Sequence, residues 1–151
     1  MEKTRFKITR GTDVAIIVFM AILIAAAVIV RSAPSGVQSG MQSLINASTQ
    51  EGRVKYLKNL GWEIDLQSES SQEVLIPEEF DQVMAEYNKL QKEQGFDMSV
   101  YCGMSCTQYT YTVTNYPDGG NVLCTIYTRG RHVIGGDIHS ARIDGFMHAL
   151  A

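Results

Sequence analysis

Near its C-terminus the chain reads His132-Val-Ile-Gly-Gly-Asp-Ile-His139, and by residue type Asp137 and His139 are the groups best suited to chemistry. Residues two apart on a strand point to the same side. A carboxylate and an imidazole so placed could ligate a metal or pass a proton. A metal would need further ligands from His132, Asp144 or His148, which follow no recognisable spacing. The opposing reading is a strand in which Gly135-Gly136 forms a bulge or admits a close backbone neighbour. Asp137 and His139 would then face solvent or cap a turn, and this is the reading the residues favour. No catalytic or cofactor-binding residue is assigned, and Asp137 and His139 stand only as weak metal candidates.

The remaining reactive groups have structural readings as well. Cys102-Gly-Met-Ser-Cys106 allows either a short-loop disulfide, with Gly103 easing the turn, or two free thiols. It lacks the Cys-x-x-Cys spacing of a redox pair. Glu78, Glu79 and Asp81 form an acidic cluster, but at a helix start they are explained by the helix dipole. Tyr109, Tyr111, Tyr116 and Tyr127 could make a carbohydrate or peptide platform; core and cross-strand packing accounts for them more simply. Gly135-Gly-Asp137 superficially resembles the signature loop of cyclases that make cyclic dinucleotides. The Glu-Phe that should follow is Ile138-His139, and a short motif without its context is weak.

The elements that must position these groups read as α+β. Ser48-Thr-Gln-Glu51 has the capping-box pattern, and Val54, Leu57 and Leu60 continue at helical spacing to Gly61, predicting a helix over about 49–60. Trp62, Ile64 and Leu66 alternate with acids as in a half-buried strand, and 67–72 reads as a loop. Pro77 marks a helix start, Phe80, Val83, Met84, Tyr87 and Leu90 give one apolar face, and Gly95 closes it. From Cys106 the period changes to two. Pro117-Asp-Gly-Gly120 is a turn, with Tyr116 expected opposite Asn121, Val113 opposite Cys124 and Tyr111 opposite Ile126. That arrangement puts Cys106 and Cys124 on opposite faces. His132 to Ile138 follows as a strand, and Phe146, Met147 and Leu150 suggest a closing helix.

Length and hydropathy add a membrane segment. Residues 14–30, VAIIVFMAILIAAAVIV, are an unbroken apolar run that as a helix spans roughly 25 Å, near the thickness of a bilayer core. Lys3, Arg5, Lys7 and Arg10 precede it, so the N-terminus is expected in the cytoplasm and the rest outside. A cleaved signal would have a shorter core and a small-residue site where Arg31 stands. From Ser32 onward eight basic residues face fourteen acidic ones, a net charge of −6. Such a surface argues against nucleic acid and against an anionic lipid-surface module.

The order Arg53-x3-Leu57, Gly61-Trp62, Ile76-Pro-x-x-Phe80, Tyr87-Asn88-x-Leu90-Gln91, Gln94-Gly95-x-Asp97, Tyr109-Thr-Tyr111, Asn115-Tyr-Pro117, Ile134-Gly-Gly-Asp137 and Asp144-Gly-Phe-Met-His148 resembles the bacterial family numbered 4830 among domains of unknown function. The resemblance covers nearly all of 50–150. It implies a small, membrane-anchored protein of Gram-positive-type bacteria and carries over no activity, substrate or cofactor. Cys102 and Cys106 stand at positions that in this pattern are usually not cysteine, and His139 at one that often is.

The expected organisation is a basic cytoplasmic N-terminus at 1–13, a transmembrane helix at 14–30 and a linker at 31–47, small and polar like Ser32 to Gly40. An extracytoplasmic domain follows at 48–151, with two or three helices on a mostly antiparallel sheet. The expected role is a non-catalytic binding module at the cell envelope, without cofactor, holding a protein, peptide or envelope partner. The alternatives are a small metal-dependent or hydrolytic enzyme near Asp137 and His139, and a secreted factor released by signal cleavage.

Overall fold

A computed structural model describes residues 45–142 and 144–151. The expected transmembrane helix at 14–30 and the basic N-terminus lie outside the described residues; no described helix is long and apolar enough to cross a membrane. Two helices and a five-stranded antiparallel sheet make an α+β domain. The strands β1 (Ile64–Leu75), β2 (Ser105–Val113), β3 (Val122–Arg129), β4 (His132–Ser140) and β5 (Met147–His148) lie side by side in chain order. Helix α1 (Gln50–Asn59) covers one face and α2 (Gln82–Glu93) covers the other.

Both helices end as their glycines predict. Gly61 and Gly95 take φ of 91° and 87°, which frees each helix end to close with paired bonds. Trp62 N–H donates to Leu57 O and Gly61 N–H to Lys58 O, while Phe96 N–H and Gly95 N–H do the same for Gln91 O and Lys92 O. The starts differ from expectation. Thr49, one residue beyond the expected Ser48, caps α1 by accepting from Gly52 N–H at 3.2 Å. The second helix starts five residues past Pro77, where Asp81 caps it by accepting from Met84 N–H at 2.8 Å. Glu78 and Glu79 therefore precede the helix instead of filling its first turn.

Three further expectations need correction. The stretch 67–72 is not a loop but part of β1, whose pairing with β2 is interrupted between Asp65 and Ser70. Its period-two signal fails because the strand lies on an edge, where most of its side chains meet water. The β2–β3 register is Tyr111 opposite Cys124 and Tyr109 opposite Ile126, two residues from the expected pairing. Thr114 N–H donates instead to Glu63 O, and Asn115 accepts from Glu63 N–H and donates to Gly61 O, so the chain after Val113 is taken by the α1–β1 turn. A shift of two preserves every face assignment. Finally, the closing segment is a strand: Met147 lies opposite His139, and Ser140 N–H donates to Phe146 O. Its few residues offer too little length for a stable helix, while the edge of β4 supplies ready partners.

The core is split by the sheet. On the α1 side Tyr56 and Leu57 pack on Tyr111, Val113, Val122, Cys124, Ile126, Ile138 and Leu150. On the α2 side Met84 and Tyr87 pack with Met98 on Val74, Cys106, Tyr127 and Ile134. Because both faces are covered, β3 and β4 are buried almost continuously. The domain also takes in residues before α1: Ala47 is buried, and its N–H donates to Arg131 O at 3.0 Å.

Candidate functional site

Strand β4 delivers Asp137 and His139 to the α2 side, opposite Thr125 and Leu123 of β3. Neither faces solvent, contrary to expectation: their side chains are 2% and 7% accessible. An isolated carboxylate buried this deeply would be costly, so it must be paired. Tyr87 Oη, carried in by α2, donates to Asp137 Oδ2 at 2.6 Å, and His139 Nδ1 lies 2.7 Å from Asp137 Oδ1, within charge-assisted hydrogen-bond distance. Tyr87 also hydrogen-bonds Tyr127, extending the chain of polar groups across to β3. Burial first, and then the charge of Asp137, push both phenols well above the ordinary tyrosine range. They stay protonated and serve as donors.

The two glycines before Asp137 admit close neighbours, as one of the sequence expectations has it. A Cβ on Gly136 would lie 2.6 Å from both Leu150 Cδ1 and Thr125 O, and one on Gly135 would lie 3.1 Å from Gln91 Oε1 and from Met98 Sδ. The pairing of β3 with β4 is also irregular beside them, between Tyr127 and Thr128. Gln91 ties α2 to this strand, its Oε1 accepting from Gly136 N–H at 2.8 Å.

The structure does not bring the other proposed ligands here. His132 is exposed at the start of β4, and Asp144 is exposed in the turn before β5. His148 lies opposite Ile138 and so shares the reverse face. Among the described residues no group of three or more His, Cys, Asp or Glu side chains is placed to hold a metal ion. Cys102, half-buried, and Cys106, buried, are free thiols, as is Cys124. Burial pushes the Cys106 thiol up to about 11, away from thiolate reactivity. Cys106 and Cys124 belong to different sides of the sheet.

A second network, on the α1 side, was not foreseen as a site. Arg53 is 3% exposed in the face of α1 that also carries Tyr56 and Leu57. Its Nε donates to Tyr111 Oη at 2.7 Å, Nη1 to Ala47 O at 3.1 Å, and Nη2 to both oxygens of Glu69 at 3.1 and 3.0 Å. Tyr111 Oη donates to Glu69 as well. The guanidinium carbon sits 3.6 Å from the centre of the Tyr109 ring. Glu69 reaches this position because the interruption in β1 lets residues 66–69 bow away from the ladder. Burial works to raise the Glu69 pKa, but the bonds from Tyr111 and Arg53 outweigh it and hold the carboxyl below the ordinary range. The available signal was a cation at helical spacing among apolar residues, Arg53 with Tyr56, Leu57 and Leu60.

The four tyrosines considered as a platform are thus dispersed: Tyr111 and Tyr127 are core, Tyr109 lies under Arg53, and Tyr116 joins a third group. That group is a run of half-buried rings at the end of the sheet formed by the α1–β1 and β2–β3 turns. Tyr116 stacks on Phe146 at 4.9 Å, Phe146 on His148 at 5.6 Å, and Trp62 on Tyr116 at 6.1 Å between ring centres. Trp62 Nε1 donates to Leu150 O at 2.6 Å and fixes the C-terminal segment beneath it.

An antiparallel meander with one helix on each face, its buried charges paired across each helix–sheet contact, defines the class as a small α+β domain. Residues 56–138 match the family model described as Domain of unknown function (DUF4830), and the chain belongs to that family. No curated protein and no solved structure matches it.

Proposed function

We propose that this is a single-pass membrane-anchored protein of a bacterial cell envelope whose extracytoplasmic domain is a non-catalytic binding module. The observation that carries the non-catalytic reading is how the buried charges are used. Arg53 spends donors from all three nitrogens on Ala47, Tyr111 and Glu69, and Asp137 spends both oxygens on Tyr87 and His139. Groups so occupied hold helices to a sheet. The apolar run at 14–30 and the basic residues before it support the anchor and its orientation. For contact with a partner, the half-buried rings of Trp62, Tyr116, Phe146 and His148 supply amphipathic area of the kind that dominates binding surfaces.

The test is photo-crosslinking in intact cells with the full chain. A photoreactive residue replaces Tyr116 in one variant and the exposed Lys89 of α2 in another. A discrete adduct at 116 that is missing at 89 is the expected result. Identical adduct patterns at the two positions would end the reading.

One observation favours an enzyme as the second reading. Asp137 orients the His139 ring through Nδ1, in the manner of a carboxylate–imidazole dyad. An imidazole held in this way can act as a general base. His139→Gln separates the two: it abolishes turnover if the dyad is catalytic and leaves the 116 adduct intact if it is structural.

A further inference from the structure

The two ends of the sheet differ in what they expose. At one end the carboxyl ends of β1 and β3 meet the amino ends of β2 and β4. Leu75 is 62% exposed there, Val100 62% and Met104 40%. They form one corner, since Ile76 N–H donates to Met104 O, Gly103 N–H to Ile76 O, and Met104 N–H to Tyr101 O. Leaving three large apolar side chains in water forgoes the benefit of burial at each, so their collection at one end of the sheet marks a contact surface.

What covers this corner follows from where the chain enters the domain. Ala47 N–H is bonded to Arg131 O in the β3–β4 turn, and Arg129 Nη1 donates to Ser105 O at 2.5 Å, so the turn, the chain's point of arrival and the apolar corner all lie at the same end. Only the sixteen residues 31–46 separate Ala47 from the apolar run at 14–30. In any conformation a chain of that length spans at most about 55 Å. The bilayer is therefore the apolar phase held nearest to Leu75, Val100 and Met104, at high effective concentration.

Resting on the membrane anchor proposed above, we infer that this end of the domain sits on the bilayer surface, with Leu75, Val100 and Met104 in the interfacial zone. The attraction is apolar. Arg129 and Arg131 at this end are offset by exposed Glu73, Glu78 and Glu79, so anionic headgroups are not required. This agrees with the acidic balance of the domain, which excludes an anionic lipid-surface module but not an apolar one. The aromatic run around Trp62 is left at the opposite end, directed away from the membrane.

The test uses the full chain reconstituted into phosphatidylcholine vesicles that carry a radiolabelled lipid. The photoreactive residue p-benzoylphenylalanine is placed at position 100, at 104, or at 66, where Leu66 is also solvent-facing, at 45%, but lies toward the other end of β1. All three sites are exposed, so the fold tolerates the change. Label transfer at 100 and 104 is expected to exceed that at 66 by about tenfold. Equal transfer at 100 and 66 in chain that resists alkaline carbonate extraction would overturn the docking and leave the anchor standing. Chain released by carbonate would overturn both.

Discussion

The two faces of the sheet use one device with opposite signs. On the α1 face a helix supplies the buried charge, Arg53, and on the α2 face a strand supplies it, Asp137. Each is bonded by a tyrosine from the opposing element and by a side chain of opposite or switchable charge. They differ in access to water: the Glu69 side chain is 22% accessible, whereas Asp137 and His139 are 2% and 7%. A network open at one edge can hand a widowed charge to solvent. A closed one cannot, so the cost of breaking it falls entirely on the fold.

The largest effect should come from Asp137→Ala, which leaves Tyr87 Oη and His139 Nδ1 without their shared acceptor. About 3–5 kcal/mol is expected for breaking a buried charged network. Arg53→Met keeps much of the volume, and the abandoned Glu69 can turn to water, so a loss of about 2 kcal/mol is expected. Trp62 is the only tryptophan in the chain, and its fluorescence reports denaturant unfolding of the full chain in detergent. If the faces are independent, the double variant should equal the sum of the singles within about 0.5 kcal/mol. A larger coupling would mean that the sheet transmits strain between them.

Adjacent glycines sharpen the same contrast, because Gly135 and Gly136 aim at opposite faces. Gly136→Ala would press a methyl group onto Leu150 Cδ1 and onto backbone, Thr125 O and Ile126 Cα, where little can move. A loss of about 1–3 kcal/mol is expected. Gly135→Ala meets only the side chains of Gln91 and Met98, at 3.1 Å, and Met is an adaptable filler. It should cost less than Gly136→Ala in the same unfolding measurement, and the reverse order would contradict the assigned faces.

Much of this architecture was legible in the chain. Gly61 and Gly95 ended their helices as expected, and the Tyr109, Tyr111 and Val113 alternation assigned faces correctly even though its register was displaced by two. Parity survives such a shift; pairing does not. The register was lost to Asn115, whose bonds to Glu63 and Gly61 are set by a tertiary contact with no local signature. The burial of Asp137 and His139 was missed for a related reason. Polar residues after two glycines look like a solvent-facing strand end, and only α2, arriving with Tyr87 from fifty residues upstream, closes over them. Arg53 carried a readable hint in its spacing with Tyr56 and Leu57, yet its partner Glu69 sits in a serine-rich stretch with no apolar period to place it.

The smallest expected effect is the pH dependence of the open network. The Glu69 pKa lies below its ordinary value of 4.5 in the folded chain, opposed by burial and lowered more strongly by Tyr111 and Arg53. Its contribution is therefore complete above about pH 4.5 and lost as pH falls through the folded pKa. Water at the Glu69 edge screens it, so about 1 kcal/mol or less is at stake. Asp97 is also held below its ordinary value, by bonds from Ser99 and Asn88, so wild type alone cannot isolate the effect. Arg53→Met can. Unfolding midpoints of wild type and variant, measured from pH 7 to pH 3, should converge as pH falls. Parallel curves would show that the Arg53–Glu69 pair contributes nothing through its charge.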